Sequence, residues 1–277
     1  MSAPPHSLAG WVRLFADADI PARRLSLRGI ASLHQHIDEV SPRALAALVL
    51  RDPLLTARLF AHAATRRGPR YGGDVTTVDG IVMTFGMPCV IEALARAPAL
   101  EGRLEGRPEA LEGLFEVLLR ARQAARFAAD FACHRQDREV EEIAVSGMLH
   151  DLAEMLLWCE APDAALEIRR RLRGDPALRS SAVQHEVLGA TLIEVQLAVA
   201  RAWRLPELLV SMMNDRHAEN PRTRNVALAV ALARHSANGW DNPALPDDYS
   251  AIAALLRLDA LRVRQMVEPQ QLMPSAS

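Results

Sequence analysis

The chain has 277 residues, half of them apolar and only 4% aromatic, and carries a formal charge of −2. That length and composition suit one large domain or two closely packed ones around a substantial core, and exclude a disordered chain. The near-neutral balance argues against a dedicated nucleic-acid binder. No lysine is present, which removes Schiff-base chemistry and a phosphate-loop lysine. With no leader pattern and no run of about 20 uncharged apolar residues, the sequence predicts a cytoplasmic protein without membrane contact.

In chain order, residues 1–7 read as a frayed tail and Leu25–Val40 as a helix. Ser41-Pro42 and Asp52-Pro53 each open a further helix, with a capping side chain followed by a proline whose φ already suits the first turn. Gly68, Pro69, Gly72 and Gly73 predict a loop, followed by short helices over Thr76–Phe85 and Pro88–Ala97. Pro98–Pro108 is the expected junction of two subdomains, dividing the chain into a segment 1–20, a helical unit 21–107 and a second helical unit 108–277.

Longer helices are expected beyond the junction. One runs over Pro108–His134, and another is capped by Asp137 and continues to about Cys159, with Glu139, Glu141 and Glu142 at the positive end of its dipole. Val183–Trp203, a helix from Leu205-Pro206 to about Arg216, Thr223–Ala237, Tyr249–Leu256 and Asp259–Val267 complete the series. The arginine run at 169–173 reads as the cationic end of a helix. No alternation long enough for a strand occurs, so the fold class is all-α. Cys89, Cys133 and Cys159 are far apart and read as reduced, mostly buried thiols.

The segment Ile143–Trp158 is apolar almost all round, which predicts a buried helix with His150-Asp151 at its centre. A buried carboxylate needs a cation, hydrogen-bond donors or a metal ion. Adjacent residues on a helix project about 100° apart, which allows two side chains to bracket one ion. Two readings stay open for this pair: a hydrogen-bonded core contact, or part of a metal site with His185 and His217.

The ordered segments VLRDPLLTARLFAHAA, TTVDGIVMTFGMPCVIEAL, GMLHDLAEMLL, HEVLGATL and WRLPELLVSMMNDRH together resemble the HDOD family over roughly residues 20–240. HDOD domains are relatives of HD-type metal-dependent phosphohydrolases and of HD-GYP cyclic-dinucleotide phosphodiesterases. The resemblance implies a multi-helical HD-like fold, a signalling context of the bacterial-regulator kind, and a family that generally lacks demonstrated catalysis.

Intact HD enzymes also require a histidine on the helix before the HD pair and an aspartate on a later helix. By helical phase, Arg120 stands on the inward face of Pro108–His134 where that histidine would align. Arg234 falls near the place of the late aspartate, and Glu154 where HD-GYP proteins carry a lysine. A guanidinium has donors only and cannot ligate a divalent ion, but it can replace the charge of one and pair with a carboxylate.

The expectation is therefore a vestigial HD site of Arg120, His150, Asp151, Glu154, His185, His217 and Arg234, in which Arg120 and Arg234 neutralise Asp151. It needs no cofactor and would bind a signalling protein or a small nucleotide-like ligand. The competing expectation is a metal-dependent phosphohydrolase or phosphodiesterase holding Mn, Fe or Mg on His150, Asp151, His185 and His217. His34 and His36, two residues apart, read as surface side chains. Ala63-Ala64-Thr65 after His62 departs from a place where the family often has an asparagine nearby.

Overall fold

The computed structural model describes residues 4–66, 74–175 and 177–268. Met1–Ala3 of the expected tail and the Gly68–Gly73 loop lie outside the described residues. The chain is all-helical: α1 Leu8–Ala16, α2 Arg24–Gln35, α3 Pro42–Val49, α4 Pro53–Arg66, α5 Val78–Phe85, α6 Met87–Ala95 and α7 Leu100–Arg103 form its first part. The second part holds α8 Pro108–Arg135, α9 Val140–Leu149, α10 Leu152–Glu160, α11 Pro162–Gly174, α12 Ser180–Leu188 and α13 Leu192–Ala202. It continues with α14 Glu207–Met212, a 3-10 turn at Asp215–His217, α15 Pro221–His235, α16 Leu245–Leu256 and α17 Ala260–Val267. Among the described residues there is no strand, only an isolated bridge between Ala22 and Ala99.

The helix starts follow the local chemistry. Ser41 Oγ accepts from the Ala44 amide at the head of α3. Asp52 is fully buried and works harder: one carboxylate oxygen accepts from the Leu54 and Leu55 amides, the other from the Arg23 amide. One capping side chain thereby pins the entry to α2 against the head of α4.

Several expected features differ in the structure. The segment from Asp137 to Cys159 is not one helix; it breaks at His150-Asp151 into α9 and α10. Asp137 does not cap α9, because its carboxylate is taken by Arg135, 3.0 Å away. The expected helix Val183–Trp203 breaks at Gly189, whose φ of +70° ends α12 in the left-handed conformation that glycine adopts without a Cβ clash. Thr191 and Glu194 then form a reciprocal capping box that restarts the chain as α13. Finally, α14 stops at Met212, and Asn214 caps the 3-10 turn in its place by accepting from the Arg216 amide.

Residues 4–7 are not frayed either. A Cβ at Gly189 would lie 2.5 Å from the His6 carbonyl oxygen, so the segment passes directly over the end of α12. Trp11 is buried and donates from Nε1 to the Leu188 carbonyl at 2.8 Å, anchoring α1 there.

One hydrophobic cluster extends from Trp11 to Val267 and passes through the Pro98–Pro108 stretch. Two backbone hydrogen bonds, Ala22 to Pro98 and Leu100 to Ala22, tie that stretch to the start of α2. The glutamates at the head of α9 reach outward as well: Glu141 accepts from the Val78 amide at the start of α5, and Glu142 from the Thr76 hydroxyl. Among the described residues no single helix is long and apolar enough to cross a membrane. The bent pair α5–α6, which passes on length and composition, buries Val78, Ile81, Val90, Ile91 and Leu94 in the core.

Candidate functional site

The site forms where α8, α9 and α15 pack on one another. Gly147 permits the approach of α9 to α8, since a Cβ there would sit 3.3 Å from the Ala124 carbonyl oxygen and the Ala128 Cβ. The buried Asn225 carboxamide donates to the Ala128 carbonyl and fixes α15 against the same stretch of α8. These contacts hold the break between α9 and α10 in the interior, with His150 and Asp151 at it.

A break inside a core frees backbone groups that must find partners. Gln196 of α13 supplies them. Its Oε1 accepts from the Ala153 amide at 2.7 Å, and its Nε2 donates to the Leu149 carbonyl at 2.6 Å. The carboxamide thus spans the gap and keeps both members of the His-Asp pair aimed into the cavity beside it.

Around that pair lies a network of charges. His150 Nδ1 is 3.2 Å from Asp151 Oδ1, and His150 Nε2 is 3.0 Å from Asp215 Oδ1 in the 3-10 turn. Arg234 Nη2 donates to Asp151 Oδ1 at 2.5 Å. Arg120 Nη2 donates to both carboxylate oxygens of Glu154, at 3.0 and 3.1 Å, and is 4.0 Å from Asp151 Oδ2. Direct pairing with Asp151 therefore belongs to Arg234. Arg120 serves Glu154 one helical turn further on.

The electrostatics follow from this arrangement. Burial by itself lowers the pKa of His150, but its hydrogen bonds and charge contacts with Asp151 and Asp215 outweigh it and raise the value to about 9. At neutral pH both ring nitrogens carry protons and both donate to carboxylates. Burial also disfavours charge on Asp151, yet Arg234 first and His150 next hold its carboxyl well below the usual range. Asp215 is likewise lowered, its burial overcome by the hydrogen bond from His150.

The remaining expected site residues stand apart. His185 is exposed on α12, and His217 is exposed with Nδ1 3.3 Å from Glu219; neither lines the cavity that holds His150 and Asp151. Asp215, two residues before His217, is the partner that the sequence reading missed. The Asn-Asp pair at 214–215 is a turn signal that could have ended the expected helix there.

A divalent ion does not fit these side chains. As arranged, both ring nitrogens of His150 and Oδ1 of Asp151 are engaged in contacts within the protein, and His185 and His217 lie outside the cavity. Among the described residues no group of three or more His, Cys, Asp or Glu side chains is arranged to hold a metal ion.

The cavity has a volume of about 770 Å³ and lies between α8, α10, α11, the α12–α13 corner, the 3-10 turn and α15. Its polar part holds Arg120, His150, Asp151, Asp215, Arg216 and Arg234, while α10, α11 and α13 contribute aliphatic side chains. This all-helical fold is shared with two solved structures. The MmoQ response regulator of Methylococcus capsulatus str. Bath superposes with a TM-score of 0.68 at 19% identity, over 92% of this chain and 100% of that one. A virulence factor (cj0248) of Campylobacter jejuni subsp. jejuni superposes at 0.64 and 16% identity, over 95% and 96%. The HDOD domain model matches residues 27–219, more than half of the chain, and the protein belongs to the HDOD family. No curated protein matches the sequence.

Proposed function

We propose that this HDOD protein is a non-catalytic, cytoplasmic signal-transduction module that acts by binding a signalling protein or a small ligand at a degenerate HD site. The observation that carries the reading is the ion-pair chain Arg234–Asp151–His150–Asp215. It uses both imidazole nitrogens and the aspartate of the HD pair in contacts within the protein. Metal-assisted hydrolysis needs an ion that polarises a phosphoryl oxygen and lowers the pKa of a bound water. Here the positive charge beside Asp151 is a guanidinium, which does neither. A domain so arranged keeps a preformed cavity and a rigid helical frame, which suits recognition.

The test is an assay of bis(p-nitrophenyl) phosphate hydrolysis with Mn, Fe or Mg supplied in turn. The expected result is a rate equal to that of buffer with each ion. Turnover that depends on metal and is abolished by Asp151→Ala would overturn the proposal.

A further inference from the structure

The cavity beside the His-Asp pair separates charge from apolar surface in a way that specifies a ligand. Three of its cations are already matched: Arg234 by Asp151, Arg120 by Glu154 and protonated His150 by Asp215. On the α11 side, Arg169 and Arg173 are matched by Glu112 and Glu116, with nitrogen–oxygen distances of 2.8 to 3.9 Å. Arg216 also lines the cavity; its charge acts on Glu194 of α13, but among the described residues its guanidinium makes no hydrogen bond and no ion pair within 4.0 Å. It follows Asp215 in the 3-10 turn that packs on α15, and Arg234, another lining residue, stays 47% exposed. Arg216 is therefore the lining guanidinium that no carboxylate holds directly.

The rest of the wall is aliphatic, made by Leu119, Leu157, Ile168, Leu172, Leu192 and Ile193. The one aromatic side chain among the described lining residues, Trp158, is buried, with the Arg169 guanidinium 5.9 Å from its ring centre. No open aromatic face is offered to a nucleobase, and a polyphosphate would bring several negative charges toward Asp151, Glu154 and Asp215 with only one guanidinium not held directly by a carboxylate to meet them. A volume of about 770 Å³ is within the ordinary range for small-molecule sites.

We propose that this cavity binds an aliphatic monoanion, of the medium-chain carboxylate type, with its headgroup on Arg216 and its chain along Leu119, Leu157, Ile168 and Leu192. The proposal rests on the reading of the site as a binding site without catalysis, and it replaces the nucleotide-like ligand expected from the sequence with a different chemical class.

Titration calorimetry of the full chain with decanoate, 1-decanol and AMP tests it. Decanoate binds saturably at one site per chain, while decanol and AMP bind at least tenfold more weakly. Arg216→Ala weakens decanoate about tenfold and leaves decanol unchanged. Leu119→Asp weakens both, and because Leu119 is 62% exposed the variant keeps the wild-type circular dichroism and melting temperature. Absence of saturable decanoate binding, an unchanged decanoate affinity in either variant, or tighter binding of AMP would each overturn the proposal. If decanoate fails to bind and no metal-dependent hydrolysis is found, the ligand class alone is wrong. If hydrolysis is found, the binding-site reading falls with it.

Discussion

Arg234 Nη2 and Asp151 Oδ1, separated by 83 positions in sequence, are 2.5 Å apart and join α15 to the break between α9 and α10. The aspartate is buried and the arginine about half exposed, so the two partners lose different amounts of hydration on pairing. Removing the arginine leaves a buried carboxylate whose nearest guanidinium is Arg120 at 4.0 Å. An uncompensated buried charge is costly, although water reaches Arg234 and reduces the loss. Arg234→Ala should lower stability by about 2 kcal/mol in urea denaturation. Combining it with Asp151→Asn should recover part of that loss, since the stranded charge is then gone.

The pH dependence of stability follows from His150. Its pKa is raised from 6.5 to about 9 in the folded protein, so folding is favoured by the bound proton. That contribution is complete below about pH 6.5 and is lost as pH rises through 9, and at about 1.4 kcal/mol per pKa unit it is worth roughly 3 kcal/mol. Thermal melts between pH 6 and 10 should show a fall that is absent in His150→Gln. The depressed Asp151 works in the opposite direction, adding stability above the ordinary carboxylate range and losing it only in strong acid.

Gln196 gives a prediction that does not depend on charge. Its carboxamide satisfies the Ala153 amide and the Leu149 carbonyl, both buried. Gln196→Leu keeps the volume and removes both hydrogen bonds, and leaving buried backbone groups unpaired costs about 2 kcal/mol. Amide exchange at Ala153 should accelerate well before exchange in the middle of α8.

Gly189 controls the docking of the N-terminal segment. An alanine there must hold φ near +70° and would place its Cβ 2.5 Å from the His6 carbonyl oxygen. The first effect costs about 1 kcal/mol, and the second displaces residues 4–7. Limited proteolysis of Gly189→Ala should cut before α1 faster than in the wild type, with the helical content unchanged.

Two helix starts were legible from a local cap. Ser41-Pro42 and Asp52-Pro53 start helices within one residue of expectation because the capping atoms lie within three residues of the amides they serve. The two interruptions, at His150-Asp151 and at Gly189, fell inside segments expected as continuous helices. The first lies in an apolar run and its freed backbone groups are satisfied by Gln196, distant in sequence, whereas the second carries local signals, Gly189 and the Thr191–Glu194 capping box, that the expected single helix ran through. The family was readable from ordered motifs spread along the chain.

The site was partly readable in the same way. Helical phase placed Arg120 and Arg234 on inward faces, but phase cannot say which carboxylate a long side chain will reach. Arg120 reaches Glu154, and Arg234 reaches Asp151. Asp215 was hidden because an expected helix was extended through it, which directed attention to His217 instead.

The central claim is that the His-Asp pair is held by an internal ion-pair network and binds no catalytic metal. Calorimetric titration of Mn²⁺ into chelator-treated protein at pH 7 tests it most directly. The account predicts no saturable heat that depends on His150 and Asp151. Stoichiometric binding in the micromolar range or tighter, abolished by Asp151→Ala, would contradict it.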